Sequence, residues 1–199
     1  MRAEFINPFL VAGAQVLESF IGSSPSPGQL AVRSATFTTQ QVSIVIGVTG
    51  VVQGQAVYGL SLVTATKLAA SMSAMPLATF DEMASSAIAE LGNMISGHAT
   101  TLLSEAGYEC QITPPTLIRG ANVEISTSTP ALVVPLYTDF GKIEINVALK
   151  EAAGSGSIDV KAAPPPAAAS PPEVAPEAAQ PSAEGEAAAG AGEETAGEQ

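Results

Sequence analysis

Strand-forming residues in this chain come in two blocks, residues 29–63 and 108–150, and a helical stretch precedes each block. The first block reads "QLAVRSATFTT", "QVSIVIGVTG" and "GQAVYGLSLV"; the second reads "YECQI", "TLIRGANVEIS", "PALVVPLYT" and "GKIEINVALK". β-Branched residues at this density, punctuated by glycine, predict strands. Strands in runs do not fit the strict strand–helix alternation of a parallel sheet. They predict an α+β fold with helices laid on one face of an antiparallel sheet.

The helical stretches have readable ends. Asn7-Pro8 predicts a helix start, with asparagine capping free amides and proline suited to the first position. Phe9, Leu10, Ala14, Leu17 and Phe20/Ile21 then recur at helical spacing until Gly22 stops the helix. "TATKLAASMSA" predicts a short helix ending before Pro76, and a second long helix is expected over residues 79–104, with Thr79 or Asp81 as its cap. The order helix, strands, short helix, helix, strands reads as two duplicated half-domains. "YTDFGK" predicts a hairpin in which Gly141 takes positive φ. The last two strands, "ALVVPLY" and "IEINVAL", are too apolar to be left as free edges. That predicts a partner strand from a second subunit, a homodimer.

After Lys150 the composition changes to Ala, Pro, Glu and Gly, with hardly a large aliphatic residue. Such a segment buries too little surface to offset its ordering entropy, so residues 151–199 are expected to be a disordered acidic tail behind a domain of residues 1–150. Nine of the 19 acids and one of the seven bases lie in that tail, which carries −8 and leaves −4 for the domain. No basic stripe is present to neutralise phosphates, which argues against nucleic-acid binding. Cys110 stands alone, so no internal disulfide forms, as suits a reducing compartment. Glu4 and Glu18 interrupt the start of the chain where a signal peptide needs an unbroken apolar core. No apolar run is long enough to insert in a membrane, and the expected location is the cytoplasm.

The second long helix repays reading by faces. Met83, Ala87, Leu91 and Ile95 step at intervals of four, with Ile88 and Leu102 beside them, and predict the buried stripe. Glu82, Ser86, Glu90 and Asn93 follow the other side. Glu90 and Asn93 are three residues apart, so they lie about 60° from each other on adjacent turns and present a carboxylate and an amide together. Gly92 and Gly97 each cost a helix about 1 kcal/mol relative to alanine. Either they clear the approach of a partner to the amide, or they let another element of the same chain pack closely; the spacing alone leaves both open.

At these residues the chain resembles a family. Ser86-x-x-x-Glu90-x-x-Asn93, continuing as "NMISGHA", is similar to the signature helix of the CheC/CheX/FliY phosphatases of bacterial chemotaxis. "FINPFLVA", "GVVQGQAVYGLSLV", "ITPPTLIRG" and the closing "INVAL" agree in order, so the resemblance spans nearly all of residues 1–150 and none of the tail. The first helix offers Ala14-x-x-x-Glu18-x-x-Ile21, a glutamate without the asparagine, which resembles the CheX type with one signature helix. The resemblance implies two long helices on an antiparallel sheet, a homodimer, and hydrolysis of the aspartyl phosphate on a phosphorylated CheY-like response regulator. It implies that Asn93 orients the attacking water and Glu90 pairs with a lysine of the regulator. Ser86 and Gly97 are then further partner-binding positions. No cofactor is expected in this chain, because the regulator brings its own Mg²⁺. Two alternatives stand beside this reading: a non-catalytic module docking a regulator through the same helix, and a dimerisation scaffold whose tail does the binding.

Other chemistry-bearing residues give weaker signals. His98, the one histidine, has no Cys, Asp or second His at ligand spacing and reads as structural. Cys110 lacks a histidine to activate it. "GVTGVVQG" lacks the lysine of a phosphate-binding loop. Tyr58, Tyr108 and Tyr137 are expected as half-buried strand residues.

Overall fold

Helix α1 (Asn7–Ile21) opens the structure, a computed structural model that describes residues 3–152. A short 3-10 turn, Ala3–Phe5, leads into it, and Ile6 takes the cap position with helical backbone angles. Asn7 therefore lies inside the helix and caps nothing, because the preceding turn already supplies carbonyls: Leu10 N–H bonds Ile6 O at 3.0 Å. Pro8 sits in the first turn and Gly22 ends the helix, as expected.

Strands β1 (Ser26–Pro27), β2 (Ala31–Arg33), β3 (Thr36–Thr38), β4 (Val42–Gly50) and β5 (Val52–Leu60) follow. Helix α2 (Leu62–Ser73) then begins at Ser61, whose hydroxyl accepts from Thr64 N–H. Helix α3 (Glu82–Glu105) is capped by Asp81, whose carboxylate accepts from Ala84 N–H at 2.9 Å. Strands β6 (Cys110–Ile112), β7 (Thr116–Arg119), β8 (Glu124–Ser126), β9 (Ala131–Thr138) and β10 (Gly141–Glu151) complete the fold. Gly141 turns the β9–β10 hairpin at φ 132°, a conformation a side chain would strain.

The pairing makes the duplication explicit. The main sheet runs β1-β9-β10-β5-β4-β6 and is antiparallel throughout, with β2 also on β9 and β7 also on β4. Each half is a long helix, two short strands, a flap strand and a hairpin. The short strands of each half cross over to pair with the hairpin of the other, and the flap strands β3 and β8 pair with each other. This exchange overturns the edge premise: β10 lies between β9 and β5, and β9 is covered by β1 and β2. The apolar strands are interior, and no second subunit is needed to shield them. β10 continues through Glu151, and Ala152 N–H bonds Val51 O at 2.9 Å; the rest of the expected tail, residues 153–199, lies outside the described residues.

Helices α1, α2 and α3 pack on one face of the sheet, where Phe9, Leu17, Ile44, Ile46, Leu68, Ile88, Ile95 and Ile145 are among those forming the core. Tyr58 departs from the half-buried expectation. It is sealed in that core with its phenol 2.6 Å from the Ser96 hydroxyl, and burial pushes its pKa up against the opposing effect of that bond. The bond ties α3 to the central strand β5. On the other face β3 and β8 bring Phe37 and Ile125 over Val57, Ala131 and Ala148. There Glu144 meets Arg33 at 3.0 Å and Lys142 at 2.8 Å. Burial raises its carboxyl, yet the Lys142 hydrogen bond and the Arg33 charge prevail and hold it below its usual range.

Candidate functional site

Helix α3 is a firm platform: Ala84, Ile88, Leu91, Ile95, Ala99 and Leu103 are buried along its inner side. Met83, expected in that stripe, is instead 50% exposed, Ala87 is half-buried, and it is Leu103 that is buried while Leu102 is half-buried. The reason is angular. A four-residue step advances about 400° and drifts roughly 40° past a full turn, so a row begun at Met83 on the surface reaches the core by Ile95.

The opposite side carries the predicted residues. Ser86 and Glu90 are exposed, Asn93 and Gly97 half-buried. Asn93 Nδ2 donates to Glu90 Oε2 at 3.4 Å, a long and weak bond. It nevertheless orients the amide, turning its NH₂ toward the carboxylate and leaving Oδ1 as the uncommitted acceptor. In α1 the equivalent of Asn93 is Ile21, a side chain packed against the core, so that helix presents Glu18 alone.

The two glycines divide between the two readings. A Cβ on Gly92 would lie 2.7 Å from Ile44 Cγ2 on β4, so this glycine admits the chain's own sheet and not a partner. A Cβ on Gly97 would meet nothing within 4 Å, which leaves it open to an outside molecule. Stability measurements separate them. Gly97→Ala is expected to gain about 0.5–1 kcal/mol from helix propensity alone. Gly92→Ala is expected to lose about 1 kcal/mol or more, because overpacking against the stiff side chain of Ile44 outweighs that gain. Urea unfolding of the two variants reads the opposite signs, and equal signs would refute the assignment.

The pair stands on an outward helix surface. It lines none of three surface hollows, whose walls include Phe5 and Leu149, Thr49 and Cys110, or Val63 and Arg119. Among the described residues no three His, Cys, Asp or Glu side chains stand close enough to share a metal ion, His98 included. Burial raises the pKa of the half-buried Cys110 thiol, which disfavours the nucleophilic thiolate. Also among the described residues, no helix is long and apolar enough to cross a membrane. What the arrangement can do is reach into a site on another molecule with a neutral amide oxygen, flanked by a negative charge.

Fold and site together define a CheC-like α+β domain. Residues 42–137 match the family model described as "Chemotaxis phosphatase CheX". The chain is 32% identical over 137 residues to the CheY-P phosphatase CheX of Thermotoga maritima, covering 68% of this chain and 88% of that protein. Its fold superposes on the chemotaxis protein CheX of Desulfovibrio desulfuricans with a TM-score of 0.68 at 30% identity, over 74% of this chain and 99% of that one. It also superposes on the CheX–CheY–BeF₃–Mg²⁺ complex from Borrelia burgdorferi with a TM-score of 0.65 at 31% identity, over 75% and 100% of the two chains. The chain belongs to the CheX family of chemotaxis phosphatases and is a hydrolase by class.

Proposed function

We propose that this protein hydrolyses the aspartyl phosphate of a phosphorylated CheY-like response regulator. The observation that carries the reading is the Glu90–Asn93 pair, held on the outer side of α3 with the amide oxygen uncommitted. The likeness to a CheX solved with CheY, BeF₃ and Mg²⁺ supports it, since BeF₃ on a carboxylate stands in for a phosphoryl group.

An acyl phosphate already has a good leaving group, and the regulator brings Mg²⁺ and a lysine to its own phosphate. What it lacks is a positioned water. Asn93 Oδ1 accepts a hydrogen bond from that water and aims its oxygen at phosphorus in line with the aspartyl oxygen. The P–O bond to the aspartate breaks as the bond to water forms, giving inorganic phosphate and a free carboxylate. A carboxylate at position 93 would repel the phosphoryl oxygens; a neutral amide does not. Glu90 belongs one turn away, on the regulator's lysine, where its charge holds the docked geometry. Ser86 and Gly97 border the same contact. This chemistry asks for no cofactor from the present chain. The homodimer is a separate question that sedimentation answers.

The test is phosphate release from a regulator of the same organism, phosphorylated in vitro, with and without the full chain. Acceleration well above the regulator's own decay is expected. Binding to the BeF₃-loaded regulator without any acceleration would replace this reading with that of a docking module.

A further inference from the structure

We infer that Met83 and Met94 form an apolar rim through which α3 grips the phosphorylated regulator; the inference rests on the phosphatase reading above. Both methionines are open, at 50% and 38% exposure, although the helix that carries them is otherwise firmly packed. They flank Glu90 on the side away from Asn93. Met83 lies two turns before Glu90 and about 20° from it around the axis, and Met94 one turn after it and about 40° away. Asn93 lies on the opposite side of Glu90, at about 60°. Between the methionines and Asn93, Gly97 adds no side chain and leaves open space.

A regulator surface centred on Glu90 meets the methionines on one flank and Asn93, about 80–100° round from them, on the other. The occupant is the regulator surface bordering its phosphorylation site. A carboxylate and an amide alone recognise charge and phosphate, which every phosphorylated regulator offers. Unbranched, polarizable methionine side chains add contact area that adapts to one surface shape and lose their water only when docked. This assigns affinity to the rim and chemistry to Asn93.

The double variant M83Q/M94Q keeps side-chain length and helix propensity while removing the apolar character. Rates of phosphate release are measured against regulator concentration for the full chain, the double variant and V63Q, which alters an apolar side chain on α2 that is 63% exposed. KM is expected to rise roughly tenfold in the double variant with kcat within about twofold, and V63Q to match the wild type. Thermal unfolding within a degree or two of wild type confirms that the double variant is folded. If the wild type accelerates release and the double variant keeps the wild-type KM, the rim does not grip the regulator and the inference fails. The same holds if KM is unchanged and sedimentation shows the double variant dissociating a self-associated wild type, which would make the face a contact between copies. A wild type that accelerates nothing overturns the phosphatase reading instead.

Discussion

Asn93→Ala is expected to reduce the rate of aspartyl-phosphate loss at saturating regulator by about a hundredfold or more, while binding to the BeF₃-loaded regulator stays within a few-fold. The magnitude follows from what one preorganised polar group contributes when it acts on the reacting atoms and not on the ground state. In the proposed mechanism the amide acts on the attacking water and the regulator keeps its phosphate without it, so the loss is expected in kcat. Misfolding is not an available excuse. Asn93 makes one weak bond, to Glu90 at 3.4 Å, and alanine is the better helix former, so the variant is expected to be at least as stable as the wild type. A variant that unfolds at the same temperature and no longer accelerates phosphate release isolates the amide.

Glu90→Lys should act differently and comparably strongly. If Glu90 faces the regulator's lysine as proposed, a cation in its place turns attraction into repulsion across the interface, an effect of several kcal/mol when the pair is desolvated. The expected result is a fall of roughly a hundredfold or more in kcat/KM, carried mainly by KM. Glu90 is exposed, so its stability contribution is small and the effect belongs to the encounter. Steady-state kinetics of the two variants distinguish the proposed roles: the loss in Asn93→Ala is expected in kcat and the loss in Glu90→Lys in KM. If both variants lost kcat alone, Glu90 would have to contact the reacting atoms too.

The parts of this picture legible in the sequence are those that local rules determine. Asp81 caps α3 because an acid stands where three free amides follow, and the β9–β10 hairpin turns at Gly141 because glycine accepts its φ of 132°. Glu90 and Asn93 share a face because three residues make most of a turn. Asn7 shows where such rules stop: the cap signal is genuine, but the turn at Ala3–Phe5 extends the helical path and makes it redundant.

What the sequence hid depends on distant partners or on accumulated angle. The sorting of Gly92 from Gly97 depends on Ile44, a residue of another strand, which touches one and leaves the other open. The apolar strands β9 and β10 looked like edges because nothing nearby in the chain covers β9; β1 and β2, from the other half-domain, do so. A drift of about 40° per four-residue step carries Met83 out of the buried stripe, and the same arithmetic applied from Glu90 puts it about 20° from that residue. Thus the correction that removes Met83 from the core is also what brings it beside Glu90.

One substitution tests the central claim most directly, because it changes charge and hydrogen-bond donors while preserving shape. Asn93→Asp places a carboxylate of the same size beside Glu90, where in the proposed mechanism it would face the regulator's phosphoryl oxygens. Single-turnover phosphate release at saturating concentrations of this variant should fall to within a few-fold of the regulator's spontaneous decay. Release at the wild-type rate would contradict the account, for then a neutral amide is not what holds the water.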